Sequence, residues 1–316
     1  MIAFARPAPG KKAARADSAR DFKPIFVLGI QRSGTTWLAN MLAAHPLVAA
    51  VEAERHHGVH ESVFFSHFAR AYGDLTRPAA WDRFVKDFER SDYFRLTGVE
   101  GKWLREHAAS KSYSDVFRNL MDEFAHRRGA VAWLEKSPHH TLLAEELQRE
   151  YPAAYFVCIT RRTTTLVRSR LWSYGRVPPA NPARTFLIAK ACAANAFYGD
   201  YLRRFCAGNP RAMLVTYEDL SRDLEPAMLR VLGFLGLPPD ATVLRPPYKP
   251  NSSFNGQVSA KAALTAADRA AVAVFTAVMG LFPEPVLAAI RRRTIRAEAR
   301  EFPKWVWDET QDHMLG

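Results

Sequence analysis

The chain has 316 residues, 48% of them hydrophobic and 24% charged. That is enough apolar content for a packed domain and too much for an intrinsically disordered or fibrous chain. The net charge of +12 gathers at the ends: Arg6, Lys11, Lys12, Arg15, Arg20 and Lys23 in one tail, and Arg291, Arg292, Arg293, Arg296, Arg300 and Lys304 in the other. A nucleic-acid protein spreads its basic charge over a folded face instead, so no nucleic-acid partner is expected.

No apolar run reaches the roughly 18 to 20 residues of a membrane-spanning helix, and the first residues lack the apolar stretch of a secretory signal. Cys158, Cys192 and Cys206 are widely spaced in apolar sequence, which reads as buried thiols rather than disulfides or metal ligands. A cytoplasmic, enzyme-sized protein is the expectation.

Residues 1–23 read as a flexible basic tail. Ile25 to Ile30 is a continuous apolar run, as in a buried strand. Trp37, Leu38, Met41 and Leu42 then recur at helical spacing until Pro46. Leu47 to Val51 is a second candidate strand. Residues 55–125 are aromatic-rich without clear strands and read as a helical cap lying over one end of a sheet. Val131 to Leu134, Tyr155 to Ile159 and Met213 to Val215 are further strands, with helices over 141–150 and 184–205 between them. Apolar strands alternating with helices argue for an α/β fold, a P-loop-like parallel sheet flanked by helices with a helical cap insertion. One domain over 24–290 is expected, followed by a basic and aromatic segment over 291–316.

Between the first strand and helix stands Gly29-Ile30-Gln31-Arg32-Ser33-Gly34-Thr35-Thr36. Such a loop aims backbone N–H groups at a phosphate-like anion. Its glycine spacing matches a Walker loop, but Thr35 stands where the Walker lysine would be. Arg32 offers a planar fork of donors, and Ser33, Thr35 and Thr36 offer hydroxyls.

At these residues the sequence resembles the sulfotransferases that use 3′-phosphoadenosine 5′-phosphosulfate (PAPS). Arg32 to Leu38 looks like their 5′-phosphosulfate loop, with Trp37 at the adenine-stacking position. Arg161, after the Tyr155–Ile159 strand, and Ser169 eight residues on match the family's 3′-phosphate pair. We expect a strand-end arginine and a serine in the first helical turn to converge on one phosphate. Thr216-Tyr217-Glu218-Asp219-Leu220 resembles a third family stretch, where Glu218 and Asp219 suit helix capping. Lys249 to Phe254 is a candidate to serve the nucleotide.

The resemblance implies sulfuryl transfer to a hydroxyl of a small-molecule, lipid or glycan acceptor, with no metal. It leaves the proton acceptor open among Glu54, Glu52 and the histidines His56, His139 and His140. Glu54 and His56 match positions in glycan sulfotransferases, and Lys136, in Glu135-Lys136-Ser137-Pro138, matches a catalytic lysine beside the sulfate. His56, His57 and His60 form a histidine cluster without an evident carboxylate at metal spacing. A P-loop kinase or nucleotide triphosphatase and a non-catalytic anion-binding protein are the alternative readings. Composition points to a bacterial enzyme.

Overall fold

The computed structural model describes residues 22–108, 110–172, 177–248, 263–298 and 301–307. Most of the basic N-terminal tail, the stretch Lys249 to Phe254 and residues 308–316 lie outside the described residues. In chain order the elements are β1 (Lys23–Leu28), α1 (Thr35–Ala43), β2 (Val48–Ala50), β3 (Glu52–Ala53), β4 (Gly58–Val59), α2 (Ala69–Ala71), α3 (Pro78–Arg90), α4 (Asp92–Thr97), α5 (Gly101–His107) and α6 (Tyr113–Arg127). They continue with β5 (Ala132–Lys136), α7 (Ala144–Glu150), β6 (Tyr155–Thr160), α8 (Thr163–Leu171), α9 (Ala183–Ala207), β7 (Ala212–Thr216), α10 (Tyr217–Arg222) and α11 (Leu224–Leu235). Two further helices span Ala266–Met279 and Glu284–Glu298.

Five strands form a parallel sheet in the order β2-β5-β1-β6-β7. The strands are apolar throughout because both faces are covered. Ile25 and Val27 join a core with Leu38, Met41 and Leu42 of α1 and Met228 and Val231 of α11. Phe26 and Leu28, pointing the other way, join a core with Phe64, Phe117, Leu147 and Phe205. The aromatic residues of the insertion therefore lie on a face of the sheet rather than over its end. Phe26 meets Phe65 with ring centroids 6.2 Å apart, and Phe117 meets Trp133 at 5.9 Å. Flat rings of this size bury most area against a twisted sheet face.

The expected boundary at 290 falls inside the helix Glu284–Glu298, and Trp305 and Val306 are buried in the same core as Phe26. The segment 301–307 thus packs with the sheet domain. The helix expected over 141–150 begins as a 3-10 turn, Pro138–Leu143, before α7.

One feature was not expected. The chain leaves the sheet after Val51, turns through the antiparallel pair β3–β4, and comes back where the His60 N–H donates to the Val51 carbonyl at 2.8 Å. Asn40 of α1 holds this excursion: its side-chain amide donates to the His57 carbonyl at 2.7 Å and accepts from the Val59 N–H at 2.8 Å. Gly58 has φ +115°, and a Cβ there would lie 2.1 Å from Asn40 Oδ1. Removing both bonds by Asn40→Ala leaves a buried N–H without its acceptor and should cost about 2–3 kcal/mol in urea unfolding. A loss below about 0.5 kcal/mol would show that Asn40 does not hold the excursion.

Candidate active site

The site is built at the carboxyl ends of β1, β5 and β6, where open α/β sheets bind ligands. The loop 29–34 turns tightly: the Ser33 N–H donates to the Ile30 carbonyl at 3.0 Å. Arg32 has φ +72° and Gly34 φ +106°, and Gly34 caps α1 without any side-chain hydrogen bond. The first N–H groups of α1 are thereby left for an outside acceptor. A Cβ on Gly29 would lie 2.7 Å from the Ile159 carbonyl oxygen and 2.8 Å from Ser33 Oγ, so the loop passes too close to β6 for any side chain. Thr141 fixes its start: its hydroxyl accepts from the Gly29 N–H and donates to the Gly29 carbonyl, both at 3.0 Å.

Ser33 Oγ and Arg161 Nε are buried here without a hydrogen-bond partner among the described residues. Buried polar groups are normally satisfied, so both mark a place for an anion. Arg161 Nη1 donates to the Arg32 carbonyl at 2.9 Å, and its guanidinium lies 3.7 Å over the Tyr217 ring. Tyr217 also meets Trp37, at 5.5 Å between centroids. Burial pushes the Arg161 pKa down; Tyr217 and Glu218 oppose this, and the neighbouring cations Arg32 and Arg168 add to it. Burial likewise lowers Arg170, with Arg32 adding to the shift.

Glu218 accepts from the Arg162 N–H at 3.2 Å and from the Thr165 hydroxyl at 2.7 Å. It caps α8 rather than its own helix, α10, whose N-terminus is capped by Thr216 paired with Asp219. Ser169 is buried in the last turn of α8, not in the first. Arg161 meets the loop at the Arg32 carbonyl, and Ser169 stands about two helical turns along α8 from its start, not in the first turn.

Lys136 is buried at the end of β5, and its ammonium donates to Glu61 Oε1 at 2.8 Å. The neighbouring contacts stitch residues 61–65 onto residues 135–140. Ser62 and Ser137 donate to Glu135 Oε1 at 2.7 and 2.5 Å, and the Val63 N–H donates to Ser137 Oγ at 3.1 Å. His140 Nε2 accepts from the Phe65 N–H at 3.1 Å, so its proton is on Nδ1, which donates to Glu135 Oε2 at 2.9 Å. Burial would raise the Glu135 pKa, but His140, Ser137 and Ser62 together hold it below the usual carboxylate value.

The candidates for the base are placed differently by this geometry. Both ring nitrogens of His140 are engaged in holding Glu135 and residue 65. Glu54 is exposed at the start of a 3-10 turn. Glu52 lies near Arg128, its pKa raised by burial and lowered in part by that arginine. Among the described residues, no hydrogen bond or ion pair joins Glu54 or Glu52 to the loop or to Lys136. His56 is buried and bonded to Asp92, which Arg55 also holds at 2.5 Å. Asp92 is the carboxylate that sequence spacing did not reveal beside the histidines, brought in from 36 residues away. His56, His60 and Asp92 have donor atoms within 4.8 Å of one another, but the two imidazoles stack face to face at 3.7 Å and Arg55 already neutralises the carboxylate.

Glu61, paired with Lys136, is a candidate that sequence reasoning missed. The charged and imidazole side chains of Glu52, Glu54, Arg55, His56 and His57 between apolar Val51 and Val59 signal that the strand ends at Val51, but not where the chain returns. His139 faces a cavity of about 280 Å³ that it shares with Ile30, Gln31, Pro138, Arg170 and Lys190.

The family model described as "Sulfotransferase family" matches residues 24–241. Among solved structures, the sulfotransferase domain of the Synechococcus PCC 7002 olefin synthase aligns with TM-score 0.46 and 16% identity over 93% of this chain and 100% of its own. A sulfotransferase from Alicyclobacillus acidocaldarius aligns at 0.42 and 16%, over 87% and 98% of the two chains. Mouse sulfotransferase SULT7A1, complexed with PAP, aligns at 0.43 and 10%, over 87% and 91%. No curated protein matches the sequence.

His67, buried beside this region, supplies a pH test. Burial first, then the neighbouring His139 and His140, pull its pKa from 6.5 to about 3, against the Val63 and Glu301 backbone. The folded chain thus keeps His67 neutral where the unfolded chain protonates it, and stability, whole above 6.5, falls as pH drops toward 3. Urea unfolding at pH 7 and pH 5 should show a smaller pH-dependent loss for His67→Gln than for the parent. An unchanged slope would contradict the assignment.

Proposed function

The chain belongs to the sulfotransferase family, and from that premise we propose that it transfers a sulfuryl group from PAPS to a hydroxyl of a small-molecule, lipid or glycan acceptor. The observation that supports this reading best is the seam between the loop after β1 and the end of β6. There Arg161 bonds the loop backbone while its Nε and the Ser33 hydroxyl are left without hydrogen-bond partners among the described residues. PAPS, when bound, supplies an activated sulfuryl group whose bond to a phosphate oxygen breaks as the acceptor oxygen bonds to sulfur.

The chain's own groups divide the remaining work. The loop N–H groups, Arg32, Ser33, Gly34, Thr35 and Thr36 hold the 5′-phosphosulfate end. Arg161 takes the 3′-phosphate, with Ser169 further along α8 as its partner. Trp37 and Tyr217 offer aromatic faces to the adenine. Lys136 places its cation where negative charge builds on the departing oxygen. Glu61, held to Lys136 at 2.8 Å, receives the proton that the acceptor hydroxyl gives up. The cavity bounded by Gln31 and His139 is on hand for a small acceptor. Adenosine 3′,5′-bisphosphate leaves.

Four variants test the assignment, assayed with the acceptors that a panel of phenols, alcohols and glycans shows to be sulfated. Glu61→Gln should lower turnover about a hundredfold or more with bisphosphate affinity nearly unchanged, and Glu54→Gln should stay near the parent. Arg161→Ala should weaken the bisphosphate about tenfold to a hundredfold while affecting adenosine 5′-monophosphate less, whereas Lys136→Met should act on turnover. If Glu54→Gln abolishes turnover and Glu61→Gln spares it, the base has been misassigned.

A further inference from the structure

The two helices after residue 263 contribute nothing to the site described above. Ala266–Met279 buries Val272 against the core of α8 and α9, and Glu284–Glu298 buries Leu287 in the large core under the sheet. Their outward faces are apolar as well. Val274 and Val278 on the first helix, Leu281 and Phe282 at the bend, and Val286 and Ile290 on the second are all exposed, Leu281 by 81%. Spacings of four place each valine or isoleucine pair on one helix face. The helices bend 104° at the break between them, which puts Leu281 and Phe282 at the corner. One turn beyond Ile290 the same helix exposes Arg292, Arg293 and Arg296. Arg291 is different: it is largely covered and pairs with Glu284.

Singly exposed apolar residues need no explanation, but six in one elbow beside three exposed arginines do. Neither helix is long and apolar enough to cross a membrane. An apolar corner flanked by cations is instead the composition of a segment lying in the head-group layer. A second copy of the chain packed about a two-fold axis would set the arginines against their own copies, whereas an anionic surface would pair them.

We propose that this elbow is a membrane contact, in which an anionic phospholipid bilayer takes up Leu281, Phe282 and the flanking aliphatic side chains while Arg292, Arg293 and Arg296 meet its phosphates. The contact is independent of the reaction assigned above. It concerns surface docking, with the sheet domain remaining in water.

Co-sedimentation of the full chain tests it, with vesicles of phosphatidylcholine alone and of phosphatidylcholine containing about a third phosphatidylglycerol. Binding to the anionic vesicles should exceed that to the neutral ones by about tenfold and weaken in high salt. The double variant Leu281→Asp with Phe282→Asp and the triple variant Arg292→Gln, Arg293→Gln, Arg296→Gln should each lower binding about tenfold at an unchanged melting temperature. Equal binding to both vesicles, binding by the variants like the parent's, or no binding would each overturn the proposal. A dimer in solution that Leu281→Asp dissociates, without vesicle binding, would assign the face to a second copy.

Discussion

Buried cations at the seam between the loop after β1 and the end of β6 are the constraint on which this structure turns. Burial pushes Arg161 toward its neutral form, with Tyr217 and Glu218 opposing and Arg32 and Arg168 adding; it pushes Arg170 the same way, with Tyr198 opposing and Arg32 adding. Guanidinium groups do not give up their protons at any ordinary pH, so both stay charged and neighbouring groups must offset the cost of burying them. The fold holds the cations in place by other means. Glu218 fixes the start of α8, the Tyr217 ring lies against Arg161, and Asn195 bonds the Arg161 carbonyl at 3.0 Å. In the proposed function, the positive charge that a Walker lysine would supply comes from Arg32 and Arg161, at the ends of two strands.

The second anchor is the buried carboxylate of Glu135. Four groups converge on it or on its neighbours, and together they draw residues 61–65 against the end of β5. An uncompensated buried carboxylate would be costly, so the hydroxyls of Ser62 and Ser137 and the imidazole of His140 are what make the position tolerable. The same contacts bring Glu61 to Lys136. The base proposed above, Glu61, thus owes its position to how a charge in the core is satisfied.

Much of this was legible in the sequence, and the reasons are local. Ile25 to Leu28 and Tyr155 to Ile159 declare buried strands by being apolar at every position, and the glycines of 29–34 declare a loop that must pass close to β6. What escaped the sequence is non-local. The return of the chain at His60 depends on a backbone bond to Val51, and no spacing rule predicts that residues 52–59 leave the sheet. Glu54 therefore seemed placed after the strand when Glu61 is. Asp92 meets His56 only because α4 begins beside the excursion. Ser169 was assigned a turn of α8 that its distance from Arg161 along the helix does not allow.

The central claim is that the site recognises a 3′-phosphorylated adenosine anion without metal. Calorimetric titration of the full chain with adenosine 3′,5′-bisphosphate, and separately with ATP and magnesium, tests it most directly. Micromolar binding of the bisphosphate in the absence of metal, with ATP far weaker, is the result the account predicts. Tighter binding of magnesium-ATP would contradict it and make the loop that of a kinase or nucleotide triphosphatase.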